Sequence, residues 1–330
     1  MFWIDHVGMV VPDLPEAVSF YRTLFGRSIL DSGEWRGQNA DYVADMLGLP
    51  HGMELEAAFF QVPHSNAILE LIKYSGVEQA VIEPHATDIG AVHLGFYVDS
   101  VRDTLTRLAL PVTGSVTDIP YGPSQGGRTA YLKAPAGVNL QLMELHRRPG
   151  NLPVLRGGDF WIDHVGMVVN DLPASVEFFT DLLGSPLLDA DAWRGPNADY
   201  VADMVGRPRG LELEAAFVRV PETISMLELI KYSGTEQQTI SARPTDLGAV
   251  HLGFYVDSTE EVLARLGRPL IGSMTEIPYG PSKGGRTAYL TSPDGVNIQL
   301  MELKSRPGHL PILQRSDPLP ERPESRVLPN

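Results

Sequence analysis

The chain has 330 residues, enough for two domains of ordinary size, and its 43% hydrophobic and 20% charged residues make a folded rather than a disordered balance. A formal net charge of −15, with no Lys/Arg cluster of useful size, argues against nucleic acid or an anionic membrane surface as a partner. The absence of cysteine excludes disulfides, thiolate catalysis and Cys-based zinc sites. No apolar run nears the ~18 residues of a membrane span, and the opening MFWIDH lacks a leader pattern, so a cytoplasmic chain is expected.

The first element is the strand IDHVGMVV (4–11), rich in β-branched residues. Its alternation puts His6, Gly8 and Val10 on one face, with Val7 and Met9 on the other. Asp13 is a good N-cap for the helical pattern PEAVSFYRTLFG, which ends at Gly26. WRGQNADYVADM (35–46) looks helical from Asn39 onward, and strands follow at about 53–62 (MELEAAFFQV) and 67–74 (AILELIKY). The order then restarts with strand AVHLGFYV (91–98), a helix near 100–109, and strands near 128–133 and 138–145. A Pro-rich segment, RPGNLPVL (148–155), reads as an arm packed on the domain.

From there the chain is written again. WRGPNADYVADM (193–204), LELIKYSG (227–234), AVHLGFYVDS (249–258) and IPYGPSKGGRTAYL (277–290) repeat earlier segments without a gap, at an offset of 158 residues, as His164 is offset from His6. The units are 1–158 and 159–317, each holding two β-α-β-β(-β) modules and a Pro-rich arm, followed by a tail at 318–330 that reads as disordered. Four such modules imply an α+β fold of curved, mostly antiparallel sheets.

Of nine histidines only two positions recur, His6 with His164 and His93 with His251, each inside the first strand of its module. Two repeated carboxylates lie in last strands: Glu70 (Glu228) in ILELIKY and Glu144 (Glu302) in NLQLMEL. Such a carboxylate among aliphatic neighbours is costly to bury unless a cation or proton neutralises it. Neutral imidazoles and carboxylates on inward faces form a mixed N/O donor set for a divalent transition metal, up to two per chain. The plainer alternative is that the histidines are hydrogen-bonded core residues and the glutamates edge residues with solvated heads.

Proton abstraction would need a base. Glu54 and Glu56 (Glu212 and Glu214) alternate along MELEAAFF and share one face; either that face lines the site or both face solvent, and a detached ligand carboxylate is the other option. Arg36, Asn39, Tyr42, Tyr121 and Arg128, with Arg194, Asn197, Tyr200, Tyr279 and Arg286, are candidates for a lid and for polar contacts to substrate.

The segments IDHVGMVVPDL…FYRTLFG, LELIKY, AVHLGFYV and GGRTAYLKAPAGVNLQLMEL resemble the vicinal oxygen chelate superfamily over about 1–146 and 159–304. The last resembles the family's Arg-x-x-Tyr-(x)-Asp-Pro-x-Gly-(x)₃-Glu ending, carried by Arg128, Tyr131, Pro135, Gly137 and Glu144. The resemblance implies paired βαβββ modules forming a U-shaped cup around a metal (Zn, Mn, Co, Ni or Fe), held by His6, Glu70, His93 and Glu144 and by His164, Glu228, His251 and Glu302. It leaves open whether each cup closes within a half or between halves, for example His6 and Glu70 with His251 and Glu302, and allows a homodimer. The implied function is a metal-dependent epimerase or isomerase acting through the enolate of a small substrate with adjacent oxygens, as in the methylmalonyl-CoA and 2-epi-5-epi-valiolone epimerase branches. A glyoxalase-type lyase, an extradiol ring-cleaving dioxygenase and a drug-binding resistance protein are the alternatives.

Overall fold

A computed structural model describes residues 2–313; the expected tail at 318–330 lies outside the described residues. The first module contributes β1 (Phe2–Val10), β2 (Asp31–Trp35), β3 (Glu54–Gln61) and β4 (Ile68–Ser75), with helices α1 (Leu14–Phe25) and α2 (Gln38–Leu47). The second supplies β5 (Val92–Tyr97), α3 (Val101–Leu108), β6 (Thr117–Asp118), β7 (Arg128–Lys133) and β8 (Asn139–Glu144). The third repeats the first as β9 (Trp161–Val168), α4 (Leu172–Leu183), β10 (Leu187–Trp193), α5 (Asp199–Val205), β11 (Glu212–Arg219) and β12 (Met226–Ser233). The fourth repeats the second as β13 (Val250–Val256), α6 (Thr259–Leu266), β14 (Thr275–Glu276), β15 (Arg286–Thr291) and β16 (Asn297–Glu302).

Local chemistry sets these boundaries. The Asp13 carboxylate accepts from the Glu16 amide at 2.8 Å to open α1, and Gly26, at φ 62°, closes it in the left-handed region that glycine adopts without strain. Leu14, Ala17, Tyr21, Leu24 and Phe25 are the buried stripe of that helix, packed on the apolar residues of β3 and β4. The short strands β2 and β6 and the extent of α2 were not separately read from the sequence; β2 has mixed burial along DSGEW, with little apolar alternation to reveal it.

The strands form two eight-stranded sheets whose composition crosses the sequence repeat. One has the order β14-β15-β16-β13-β1-β4-β3-β2 and the other β10-β11-β12-β9-β5-β8-β7-β6. The first therefore joins modules one and four, the second modules two and three. At each centre a pair of antiparallel strands links the halves, β1 with β13 and β5 with β9. Within modules, β1 runs parallel to β4 and β13 to β16, while outer pairs are antiparallel. One face of both sheets packs into a single core that includes Val7, Met9, Leu69, Leu94, Leu140, Leu252 and Leu300. The opposite face of each is left to line a cavity. Among the described residues no helix is long and apolar enough to cross a membrane.

Candidate metal centres

Each cavity holds a cluster drawn from both halves of the chain: His6, Glu70 and His251 in one, His93, His164 and Glu228 in the other, with ligand atoms within 4.8 Å of one another. His6 Nε2 lies 3.0 Å from His251 Nε2 and 3.5 Å from Glu70 Oε2, and His251 Nε2 lies 3.6 Å from that same oxygen. In the second cluster His93 and His164 approach at 3.0 Å, each 3.4 Å from Glu228 Oε2. The alternation read for His6 and Glu70 is therefore observed: Ile68, Glu70 and Ile72 share the cavity face of β4.

Glycines make room for these rings. A Cβ on Gly8 would sit 1.9 Å from His251 Cε1, and one on Gly253 would sit 2.0 Å from His6 Cε1. Each imidazole thus occupies the space a side chain would take at the neighbouring strand's glycine, and His-x-Gly recurs in all four first strands.

A fourth donor completes each set, and it is not the expected one. The Gln299 side-chain oxygen is 2.9 Å from His6 Nε2, and that of Gln141 is 3.0 Å from His164 Nε2. Their amide nitrogens donate to Thr287 and Thr129 at 2.9 Å, so the oxygens are turned inward. Glu144 and Glu302 lie three residues further on, on the opposite face of β8 and β16. There Glu144 accepts from the Val101 amide at 3.1 Å and Glu302 from the Thr259 amide at 2.7 Å, capping α3 and α6. The assignment of these glutamates as ligands is corrected on parity: a spacing of three intervening residues after Gly137 ends on Gln141, and the odd step of three from there to Glu144 reverses the face.

Behind the histidines lies a second layer that the sequence reading missed. Register shifts between Ile4 and His6, and opposite Gly95 and Phe96, leave Asp5 and Asp163 as unpaired bulge residues, so neighbours Asp5 and His6 face the same cavity. Asp5 is 2.9 Å from His6 Nδ1, and Asp163 is 2.8 Å from His164 Nδ1. The acids in turn meet fully buried arginines from the Pro-rich arms, Arg306 Nε at 2.6 Å and Arg148 Nε at 2.5 Å. The repeated RPG of the arms was the available signal.

This chain of contacts fixes the electrostatics. Burial pushes the His6 imidazole down, but the Asp5 hydrogen bond and the Glu70 carboxylate outweigh it and hold it above its ordinary value. Burial dominates at His251 and holds it below. Burial would raise Glu70, yet the hydrogen bond to His251 and the His6 charge keep it below the usual carboxylate range. A neutral His6 that gives its Nδ1–H to Asp5 would turn an Nε2 lone pair toward the Glu70 and Gln299 oxygens. Acceptors facing one another repel unless a proton or a cation sits among them. The donor set of two imidazoles, one carboxylate and one amide oxygen fits a divalent transition metal, and a neighbouring Asp is the usual orienting partner of a ligating His.

The other sequence candidates divide. Tyr42 and Tyr279 line the first cavity, Tyr121 and Tyr200 the second. Glu54 and Glu56 (and Glu212 and Glu214) are not in the lining: Leu55 and Phe59 of β3 are, and the glutamates occupy the other face, partly exposed. Arg36 meets Glu54 and Glu56 at 3.4 and 3.8 Å, and Arg194 meets Glu214 at 2.7 Å, outside the cavities. Those glutamates are therefore not placed to act as bases. Arg128 pairs with Asp118 at 2.8 Å and Arg286 with Glu260 at 3.0 Å, away from the clusters, while Asn39 and Asn197 are solvent-exposed.

The family model described as Glyoxalase/Bleomycin resistance protein/Dioxygenase superfamily matches residues 3–142 and 161–300. A 2-epi-5-epi-valiolone epimerase of an Actinomyces species is 31% identical over 173 residues, covering 49% of this chain and 88% of the relative. A lactoylglutathione lyase of Salmonella typhimurium is 32% identical over 145 residues, covering 43% of this chain and 91% of its own length. Glyoxalase I from Zea mays superposes with a TM-score of 0.56 over 92% of each chain at 17% identity, a likeness of fold. With both halves matched and two cupped sheets assembled from paired modules, the chain belongs to the glyoxalase/bleomycin resistance protein/dioxygenase superfamily.

Proposed function

We propose that the chain is a divalent-metal-dependent isomerase or epimerase, with two sites, that moves a proton on and off a carbon beside a pair of adjacent substrate oxygens. The observation that carries this reading is the convergence of His6, His251, Glu70 and Gln299, repeated by His164, His93, Glu228 and Gln141, on the wall of an open cavity. The likeness to an epimerase over 88% of that relative's length supports it. A divalent cation held by these donors would act as a Lewis acid on a substrate oxygen and stabilise the charge left when the neighbouring C–H is broken.

The chain's own residues supply the proton transfer. Glu70 is the one carboxylate of its donor set, 17% exposed toward the cavity, and its contacts to both imidazoles at 3.5 and 3.6 Å are longer than that of Gln299 to His6. It takes the proton from the substrate carbon and returns it; a glutamine amide has no such capacity. Asp5 keeps the His6 proton on Nδ1, and Arg306 holds Asp5 ionised.

The test is purified full chain, metal analysis, and incubation of a cyclic α-hydroxyketone in D₂O. Two ions per chain and deuterium at the α-carbon are expected. Glu70→Gln combined with Glu228→Gln should lower the exchange rate by about 10²-fold or more. Undiminished exchange in that double variant would overturn the assignment of the base. A second reading, ring-cleaving oxygenation, is favoured by one feature: two histidines and one carboxylate are the ligand types of non-haem iron oxygenases. Oxygen uptake with a catechol in place of exchange would select it.

A further inference from the structure

The four donors of each cluster stand on four consecutive strands. In the first sheet Gln299, His251, His6 and Glu70 lie on β16, β13, β1 and β4; in the second Gln141, His93, His164 and Glu228 lie on β8, β5, β9 and β12. Hydrogen bonds between neighbours hold such a row together, and its twist sets how closely the outer members approach.

One buried guanidinium spans each row. Arg306 follows β16 by four residues; its Nε donates to Asp5 on β1 at 2.6 Å, and a terminal nitrogen donates to the Asn66 carbonyl, two residues ahead of β4, at 2.6 Å. The other terminal nitrogen turns back to the Pro311 carbonyl of its own arm at 2.8 Å. Arg148, four residues after β8, repeats the pattern on Asp163 at 2.5 Å, the Ile224 carbonyl at 2.7 Å and the Pro153 carbonyl at 3.0 Å. Further out the arms dock on the edge strands, where the Gly308 amide donates to Asp31 of β2 at 3.0 Å and the Gly150 amide to Asp189 of β10 at 3.4 Å. Burying a guanidinium is costly, and a brace between strands could be apolar without that cost. An apolar side chain could not aim the Asp5 carboxylate at His6 Nδ1 while tying down the turn before β4; a planar fork of N–H donors does both.

Resting on the metal-dependent function proposed above, we infer that Arg306 and Arg148 are positioning residues that set how the four donors converge, so that docking of each Pro-rich arm and binding of a cation at its site form one coupled equilibrium. A docked arm raises the affinity of the site, and a bound cation holds the arm down by the same factor. Each arm acts on one site, Arg306 on the His6 cluster and Arg148 on the His164 cluster.

The two sites serve as each other's control. Arg306→Lys and Arg148→Lys keep the positive charge and give up the fork. Titration of Mn²⁺ into the full chain should show two ions of similar affinity in the parent, and in either Lys variant one ion unchanged and one weakened about tenfold or more. In a Glu70→Gln background, which leaves the second site, Arg148→Lys should weaken the remaining ion and Arg306→Lys should not. Backbone hydrogen exchange in 307–313 and 149–155 should slow about tenfold on adding Mn²⁺ to the parent, and 307–313 should lose that protection in Arg306→Lys. Should a Lys variant fail to fold, the exchange measurement on the parent decides. Parent affinity at both sites in both variants, equal weakening of both ions by one variant, or arm exchange indifferent to Mn²⁺ would each overturn the coupling. A parent chain that binds no Mn²⁺ overturns the metal-dependent function with it, whereas two bound ions without deuterium exchange at the substrate carbon sink the isomerase alone.

Discussion

At the scale of residues, the clusters depend on positions that never enter a donor set. Gly8 exists so that the His251 ring can lie against β1; a methyl there would overlap the ring at 1.9 Å. Gly8→Ala is therefore expected to strip one of two metal ions and to cost about 1–3 kcal/mol of stability through overpacking, read by metal analysis and denaturant unfolding. Retention of both ions would show that the ring is not positioned by that gap. Asp5→Asn removes the counter-charge from the buried Arg306 guanidinium and the acceptor from His6 Nδ1 together. It should destabilise by about 3–5 kcal/mol and weaken metal at that site by about 10–100-fold, leaving the His93 site intact. His6 and Glu70 were legible in the sequence because duplication separates kept positions from drifting ones. Asp5 was not, since a bulge breaks the alternation that assigns faces, and nothing in IDHVGMVV announces where the extra residue falls.

At the scale of elements, parity decides between two glutamates in one repeat. Strand β4 was read on the right face, and Glu70 reaches the cluster; on β8 and β16 a slip of three residues chose Glu144 and Glu302 over Gln141 and Gln299. The capping role of those glutamates was hidden because the helix each one caps begins about forty residues earlier in the chain, at Val101 and Thr259. Replacing Glu144 and Glu302 by Gln should therefore leave metal content and turnover unchanged and lower stability by about 1 kcal/mol per helix; lost metal would return them to the donor set. The loops over the cavities differ in a contact across the mouth. Tyr121 donates to Asp191 at 3.0 Å across the second mouth, whereas position 33, the counterpart of Asp191, is Gly, and Tyr279 at the first mouth is 40% exposed. Ligand release should be biphasic in the parent chain, slower at the latched mouth, and closer to a single phase in Asp191→Gly, as stopped-flow displacement would reveal.

At the scale of the whole molecule, the repeat and the sheets are out of step, and this sets what half a chain can do. The sequence shows two nearly equal units, yet His6 and Glu70 of the first unit meet His251 and Gln299 of the second, while His93 and Gln141 of the first meet His164 and Glu228 of the second. Periodicity reveals the modules but not their pairing, because β1 can align equally well with β5 or with its copy β13: both present HLGF to the joining register. Residues 1–158 alone carry one His/Glu module and one His/Gln module, each with an open central strand edge that the full chain covers with the other half. Such an edge seeks a partner, and a two-fold arrangement of two copies offers one that is self-complementary. Expressed by itself, this half should form a homodimer holding two metal ions, with His6 and Glu70 of each copy facing His93 and Gln141 of the other. Sedimentation and metal analysis together decide it. A metal-binding monomer would mean that a half can close a cup on its own, and the crossed pairing of modules would then be a choice among alternatives rather than a requirement of the strand edges.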